Sequence, residues 1–172
     1  MPDNPSENSE VFAVIMYADI IGSTKLTAVL SPTDYVKVIR DYHQLSADVI
    51  GWYCQKKNIP NNRVFKRAYG DEILLLFYAD QDDPNGIPNV LRHILHVALR
   101  LRTEWVESET HKHKSDIVDI RIGIGGGWVT VRRSVWDQME TPEGFALSEA
   151  KRIESSAGGY KLNMLIQGYL LQ

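Results

Sequence analysis

Val11–Leu26, VFAVIMYADIIGSTKL, decides the fold when it is read together with Arg63–Phe77, RVFKRAYGDEILLLF. In the first stretch an apolar run, Val11 to Met16, leads to Asp19, and Gly22-Ser23-Thr24 opens a helix. In the second, Val64 to Tyr69 leads into Gly70-Asp71, and Ile73 to Phe77 leads away. Short β-branched and aromatic runs bounded by Gly and Asp read as buried strands. Each stretch therefore brings one aspartate to the end of a strand. Two carboxylates brought together there can hold Mg²⁺ or Mn²⁺, hard cations that take oxygen ligands. A helix start after Gly22 offers backbone N–H groups to a phosphate. The combination points to two-metal phosphoryl or nucleotidyl chemistry.

Outward from these stretches, Ser31-Pro32-Thr33-Asp34 is a helix start with Ser31 as cap. Tyr35, Val38, Ile39, Tyr42, Leu45, Val49 and Trp52 then recur at three- and four-residue spacing, so the helix runs to about Lys57 with one apolar face. Val64 to Ala68 and Ile73 to Phe77 form a hairpin. Asp80 to Pro88 is a polar loop, Asn89 to about Glu109 a second long helix, and Thr110 to Ser115 a loop. Ile117 to Ile124 alternates like a half-buried strand; Gly125-Gly126-Gly127 turns it and Trp128 to Val131 returns. Pro142 to Gly144 is a loop, Phe145 to Ser155 a third helix, and Tyr160 to Ile166 a last strand. This order gives an α+β fold, a mostly antiparallel sheet covered by helices on one face, related to the ferredoxin-like motif.

Composition narrows the function classes. The chain has 172 residues, 44% hydrophobic and 24% charged, with net charge −3. That composition is ordinary for a globular domain, and the charge argues against a duplex nucleic-acid partner. Residues 1–10 read as a disordered lead without the apolar core of a signal peptide, and 11–172 as one domain. The apolar run from Ile73 to Ala79 is too short to span a membrane, and the lone Cys54 fits a reducing, cytoplasmic setting.

Asp19-Ile20-Ile21-Gly22-Ser23-Thr24, Arg67-Ala68-Tyr69-Gly70-Asp71 and Gly144 to Arg152 together resemble the three signatures of class III nucleotidyl cyclases, the adenylate and guanylate cyclase catalytic domains. The resemblance covers Val11 to about Ile166. It implies that Asp19, Asp71 and the backbone carbonyl of Ile20 hold two divalent ions, Mg²⁺ or Mn²⁺. It implies that Gly22, Ser23 and Thr24 cradle the β- and γ-phosphates, and that Arg152 stabilises the transition state from the partner subunit of a homodimer.

The departures from that pattern concern the base. Arg67 stands where adenylate cyclases carry lysine and guanylate cyclases glutamate, and the second base-reading position falls on Thr141. Ser148 replaces the usual asparagine four residues before the arginine. The family's second phosphate-binding lysine has no recognisable counterpart; Lys161, Arg132 and Arg133 are the candidates. A short cyclase with altered base readers looks like the pyrimidine cyclases of bacterial anti-phage defence, the Pycsar systems, whose cyclic UMP or cyclic CMP activates a separate effector. A guanidinium at Arg67 suits the carbonyls of uracil or cytosine, and Tyr69, on the same strand face, can stack on a pyrimidine. UTP or CTP is then the expected substrate, uracil being favoured for its two carbonyls. The alternatives are an adenylate or guanylate cyclase, or an inactive nucleotide-binding sensor.

Plainer readings stand beside these. Glu72 is expected on the strand face opposite Asp71, as a solvated neighbour. His93 and His96, and His111 and His113, lack companion ligands at zinc-site spacing and read as solvated. The Gly123–Gly127 run opens onto a strand rather than a helix, so it is not a dinucleotide-binding turn.

Overall fold

β1 (Glu10–Ile20) is the centre of a six-stranded sheet. The computed structural model describes residues 10–114, 118–133, 139–158 and 163–171. After β1 come α1 (Ser23–Val29), α2 (Pro32–Lys56), β2 (Val64–Tyr69), β3 (Glu72–Tyr78), α3 (Gly86–Glu107) and α4 (Glu109–Lys114). Then follow β4 (Ile120–Arg133), β5 (Glu140–Glu143), α5 (Phe145–Ser156) and β6 (Met164–Ile166). The strand order is β2-β3-β1-β4-β5, antiparallel throughout, and β6 adds in parallel beside β4. The expected α+β class with a mostly antiparallel sheet is therefore the observed one. No helix among the described residues is long and apolar enough to cross a membrane.

Alternation along β1 sends its side chains to two cores. Val14, Met16, Ala18 and Ile20 pack under α2 and α3 with Tyr42, Val49, Ile94, Leu101 and Trp105. Ala13, Ile15 and Tyr17 face the other way, onto Leu74, Leu76, Ala146 and Ala150. The expectation of helices on one face is thus corrected: α5 lies on the face opposite α2 and α3. The expected start of α2 holds, since the Ser31 hydroxyl accepts from the Asp34 N–H at 3.1 Å and Pro32 sits in the first turn. Trp52 leaves the expected apolar face; it is exposed and covered by Arg100, 3.5 Å from its ring centre, and by Lys56.

The largest correction concerns the glycines. The expected turn at Gly125–Gly127 does not exist, and β4 runs unbroken for 14 residues. The glycines serve packing instead of a turn. A Cβ at Gly123 would run into the backbone of Glu154, one at Gly125 would lie 3.0 Å from the Ala150 Cβ, and one at Gly127 2.8 Å from that of Ala146. The stripe lets α5 lie directly on the sheet. Three smaller differences follow from local chemistry. The loop expected over Asp80–Pro88 ends early, because Pro88 is tolerated in the first turn of α3. The loop expected at Thr110–Ser115 contains α4 up to Lys114; the Ser108 hydroxyl caps it by accepting from the His111 N–H at 3.2 Å. Pro142, expected in a loop, lies in β5 opposite Val131, at the sheet edge where a missing N–H is harmless. Of the lead, Glu10 opens β1 and 1–9 lie outside the described residues, as do Ile117 and most of the segment expected to lead into β6.

Candidate active site

Glu72, Asp19 and Arg121 form one row across β3, β1 and β4, with Asp19 paired to both neighbours. By alternation all three point to the side of the sheet that carries α5. Asp71 sits beside this row in the tight turn between β2 and β3. Past Ile20 the chain turns through Gly22, whose φ of 68° is left-handed and suits glycine, and α1 begins at Ser23. The Ile21 N–H donates to the Asp119 carbonyl at 2.8 Å, which pins this turn to the start of β4. Asp119 is itself held by Arg102, by Asn163 at 2.8 Å and by the Ile120 N–H at 2.8 Å. The result is a cleft of about 440 Å³ lined by Asp19, Ile20, Gly22, Ser23, Thr24, Tyr69, Asp71, Glu72, Arg121 and Lys151.

The two aspartates shift each other's ionisation in opposite directions. Burial, the hydrogen bond with Asp71, and repulsion from Asp71 and Glu154 push the Asp19 carboxyl from 3.8 up to about 7, against the pull of Arg121. Burial would also raise Asp71, but hydrogen bonds from Ser23 and Asp19, its own backbone N–H and the charge of Lys151 hold it below the usual range. Between pH 3.8 and about 7 the folded chain thus keeps a proton on Asp19 that the unfolded chain has lost. Stability must fall as pH rises through that window. Thermal unfolding of chelator-treated protein is expected to show a midpoint that declines from about pH 4.5 to about pH 7. Asp19→Asn should flatten this slope. An unchanged slope in that variant would show that Asp19 is not its source.

Two cations complete the cleft wall. Arg121 donates to Asp19 through Nη2 at 2.9 Å and to Glu154 through Nε. The Lys151 ammonium lies 2.8 Å from Glu154, pairs with Glu72, and stands 5.6 Å from the Tyr17 ring centre.

No family model and no curated protein matches this sequence. Solved structures do match. The chain superposes on the adenylyl cyclase CyaB from P. aeruginosa with a TM-score of 0.75 at 18% identity, over 95% of this chain and 80% of that one. It superposes on the guanylyl cyclase Cya2 with a TM-score of 0.71 at 24% identity, over 96% and 79% of the two chains. A third is the guanylate cyclase domain of RhGC from Catenaria anguillulae in complex with GTP, with a TM-score of 0.67 at 18% identity over 86% and 75%. The fold is that of a class III nucleotidyl cyclase catalytic domain.

On this cyclase fold the residues singled out in the sequence separate into two groups. Asp19, Ile20, Gly22, Ser23, Thr24, Tyr69 and Asp71 share the cleft. Arg67, Thr141, Ser148 and Arg152 do not line it. Arg67 lies against Tyr69, donating to its hydroxyl at 3.3 Å with the guanidinium 5.6 Å from the ring centre, and reaches the Met139 sulfur at 3.6 Å. The Thr141 hydroxyl donates to the Met139 carbonyl at 3.4 Å, so Arg67 and Thr141 meet at Met139. Ser148 and Arg152 are exposed on α5; Arg152 pairs with Glu149 at 3.0 Å and stands 5.8 Å from the ring centre of exposed Phe145.

Three residues that line the cleft are not assigned to it from the sequence, Glu72, Arg121 and Lys151, and a fourth, Glu154, is buried against the last two. The solvated reading of Glu72 is corrected, since it lines the cleft and pairs with Lys151. Its face follows from pairing with Asp19, whereas Asp71 belongs to the turn and has no strand face. Arg121 could have been found by continuing the alternation of β4 back from Gly123. The histidine readings change in part: His93 meets the Tyr53 hydroxyl at 3.1 Å and His111 lies half-buried 3.7 Å from Asp119. Among the described residues no group of three or more His, Cys, Asp or Glu is placed to hold a metal. Of the expected phosphate cations, Arg132 pairs with Glu143, Arg133 has a partner of its own, and Lys161 lies outside the described residues.

Proposed function

We propose that the protein is a homodimeric nucleotidyl cyclase that converts a pyrimidine nucleoside triphosphate, UTP or CTP, to the 3′,5′-cyclic monophosphate and pyrophosphate. One observation carries the reaction class. On a cyclase fold, Asp19 and Asp71 line one cleft, beside a helix start and two cations. Two carboxylates and a backbone carbonyl suit Mg²⁺ or Mn²⁺, which keep most of their shell for water and phosphate oxygens. Asp19, Asp71 and the Ile20 carbonyl would hold them. The bound ions supply Lewis acidity toward the 3′-hydroxyl and neutralise triphosphate charge. The chain's own groups do the rest. The Ser23 and Thr24 N–H groups receive phosphate oxygens at the start of α1. Arg121, whose guanidinium pairs with Asp19 at 2.9 Å, would turn to the triphosphate once the carboxylate is engaged.

The separation of the site residues supports the dimer. Lys151 faces the cleft, so the helical step of 100° turns Arg152 outward, where it is 71% exposed. Only a second copy brings an Arg152 over the Asp19–Asp71 pair, to hold the charge that grows on the α-phosphate oxygens. Arg67 supports the choice of base: packed on Tyr69 it presents N–H donors beside an aromatic face, which suits pyrimidine carbonyls and has no acceptor for the adenine amine. A second-messenger role in antiviral defence, through a separate effector, belongs to the same proposal and rests on the resemblance to pyrimidine cyclases.

Purified protein with Mn²⁺ and equal ATP, GTP, CTP and UTP is expected to yield cyclic UMP or cyclic CMP as the main product by chromatography and mass. A cyclic purine would leave the metal site standing and overturn the role of Arg67. The ion pair of Arg121 with Asp19 favours one other reading, an inactive sensor in which the arginine keeps the metal out. Triphosphate binding without any cyclic product would establish that reading.

A further inference from the structure

Glu154 is buried against two residues of the cleft wall, Arg121 and Lys151. Its side chain has no exposed surface, and a buried carboxylate is costly unless it is paired. Two cations, Arg121 and Lys151, pair with it. The burial has its origin in the sequence: glycine at 123 removes the Cβ that would strike the Glu154 backbone, so α5 settles onto β4 and presses the carboxylate between the two cations. An ammonium has three donors, and Glu154 and Glu72 are positioned to take two. The Lys151 side chain keeps 38% of its surface exposed, and it lines the same cleft as Asp19, Asp71 and Ser23.

We infer that Lys151 binds the triphosphate in the same chain as Asp19 and Asp71, and that Glu154 is the positioning residue that holds Lys151 and Arg121 on the cleft wall. The inference rests on the cyclase reading and fills its gap, the second phosphate-binding cation. Glu72 pairs with the ammonium, and phosphate oxygens take its place when triphosphate binds. One helix then serves two sites: Lys151 belongs to its own chain's cleft and Arg152, the next residue, to the partner's.

The test uses inorganic tripolyphosphate with Mg²⁺, followed by calorimetry. Lys151→Met keeps the stem over Tyr17 and loses the charge, so it is expected to weaken binding about tenfold or more, the loss of one charge-assisted contact. Lys151→Arg is expected to recover most of the affinity. Glu154→Gln is expected to weaken binding by at least a similar factor and to add less than that on top of Lys151→Met, because the two share the Lys151 contact and only the part through Arg121 is left. A purely structural Glu154 would add its full effect. Wild-type affinity in Lys151→Met, with a lowered thermal midpoint, would overturn the inference and leave Lys151 as a tie between α5 and β3. Mixing variants, at a triphosphate concentration well below the KM of Lys151→Met so that each variant alone turns over poorly, tests the placement. Lys151→Met combined with Arg152→Ala is expected to regain turnover, and combined with Asp71→Ala to stay inactive. Recovery with Asp71→Ala would move Lys151 to the partner's site and overturn the inference. Binding through Lys151 without any cyclic product would remove the cyclase reading alone. Cyclisation with a Lys151→Met that binds tripolyphosphate normally would remove this inference alone.

Discussion

Asp71→Asn is expected to lower cyclic nucleotide formation by about a thousandfold or more while the protein stays folded. The substitution keeps the shape of the side chain in the turn between β2 and β3 and removes one of the two carboxylates that would hold the ions. Metal-borne stabilisation of this kind is worth several kcal/mol at the transition state, and each ~1.4 kcal/mol is a factor of ten. Folding should survive because Asp71 is a turn residue outside both hydrophobic cores. Removing its charge also relieves the repulsion that raises Asp19. Product formation by chromatography, beside circular dichroism and gel filtration, checks the expectation. Turnover within tenfold of wild type would remove the metal role from Asp71.

Arg152→Ala is the second large effect, a loss of about 10²–10³ in kcat, the usual consequence of deleting a donor aimed at developing charge. Its stability cost should be small, since the side chain is 71% exposed and its ion pair with Glu149 is an exposed i,i+3 contact. The KM for the triphosphate should change little, because the contact forms only as charge grows on the α-phosphate. A large rise in KM with kcat intact would make Arg152 a ground-state binding residue. A normal enzyme would make it an ordinary surface charge.

The residues most legible in the sequence were those whose role is fixed by nearby backbone. Asp19 ends an apolar strand, Asp71 sits in a hairpin turn, and Gly22 precedes a helix; pattern and turn chemistry placed all three in one cleft. Residues brought in by register were harder to see. Glu72 and Arg121 reach the cleft because they pair with Asp19 on either side, which is a property of three strands and not of any one. Lys151 and Glu154 come from α5, whose face of the sheet the sequence reading misjudged. The same cause misplaced the Gly125–Gly127 turn. Consecutive glycines look like a turn when read locally, and only a helix lying on the strand shows that the missing side chains make room. Arg67 and Thr141 were singled out through the resemblance, and the structure brings both to Met139, outside the cleft of their own chain.

In the proposed dimer each site takes Asp19 and Asp71 from one chain and Arg152 from the other. The measurement that tests it most directly mixes inactive Asp71→Asn and inactive Arg152→Ala protein and follows cyclic product. In a C₂ dimer a mixed pair has one site with both defects and one with none. With free exchange about half the dimers are mixed, each with one of two sites intact, so recovery should reach about a quarter of wild-type activity. The account predicts that recovery. Exchange shown by tagged subunits with no activity regained, in a protein whose wild type is active, would place Asp71 and Arg152 in a site built from a single chain and contradict it.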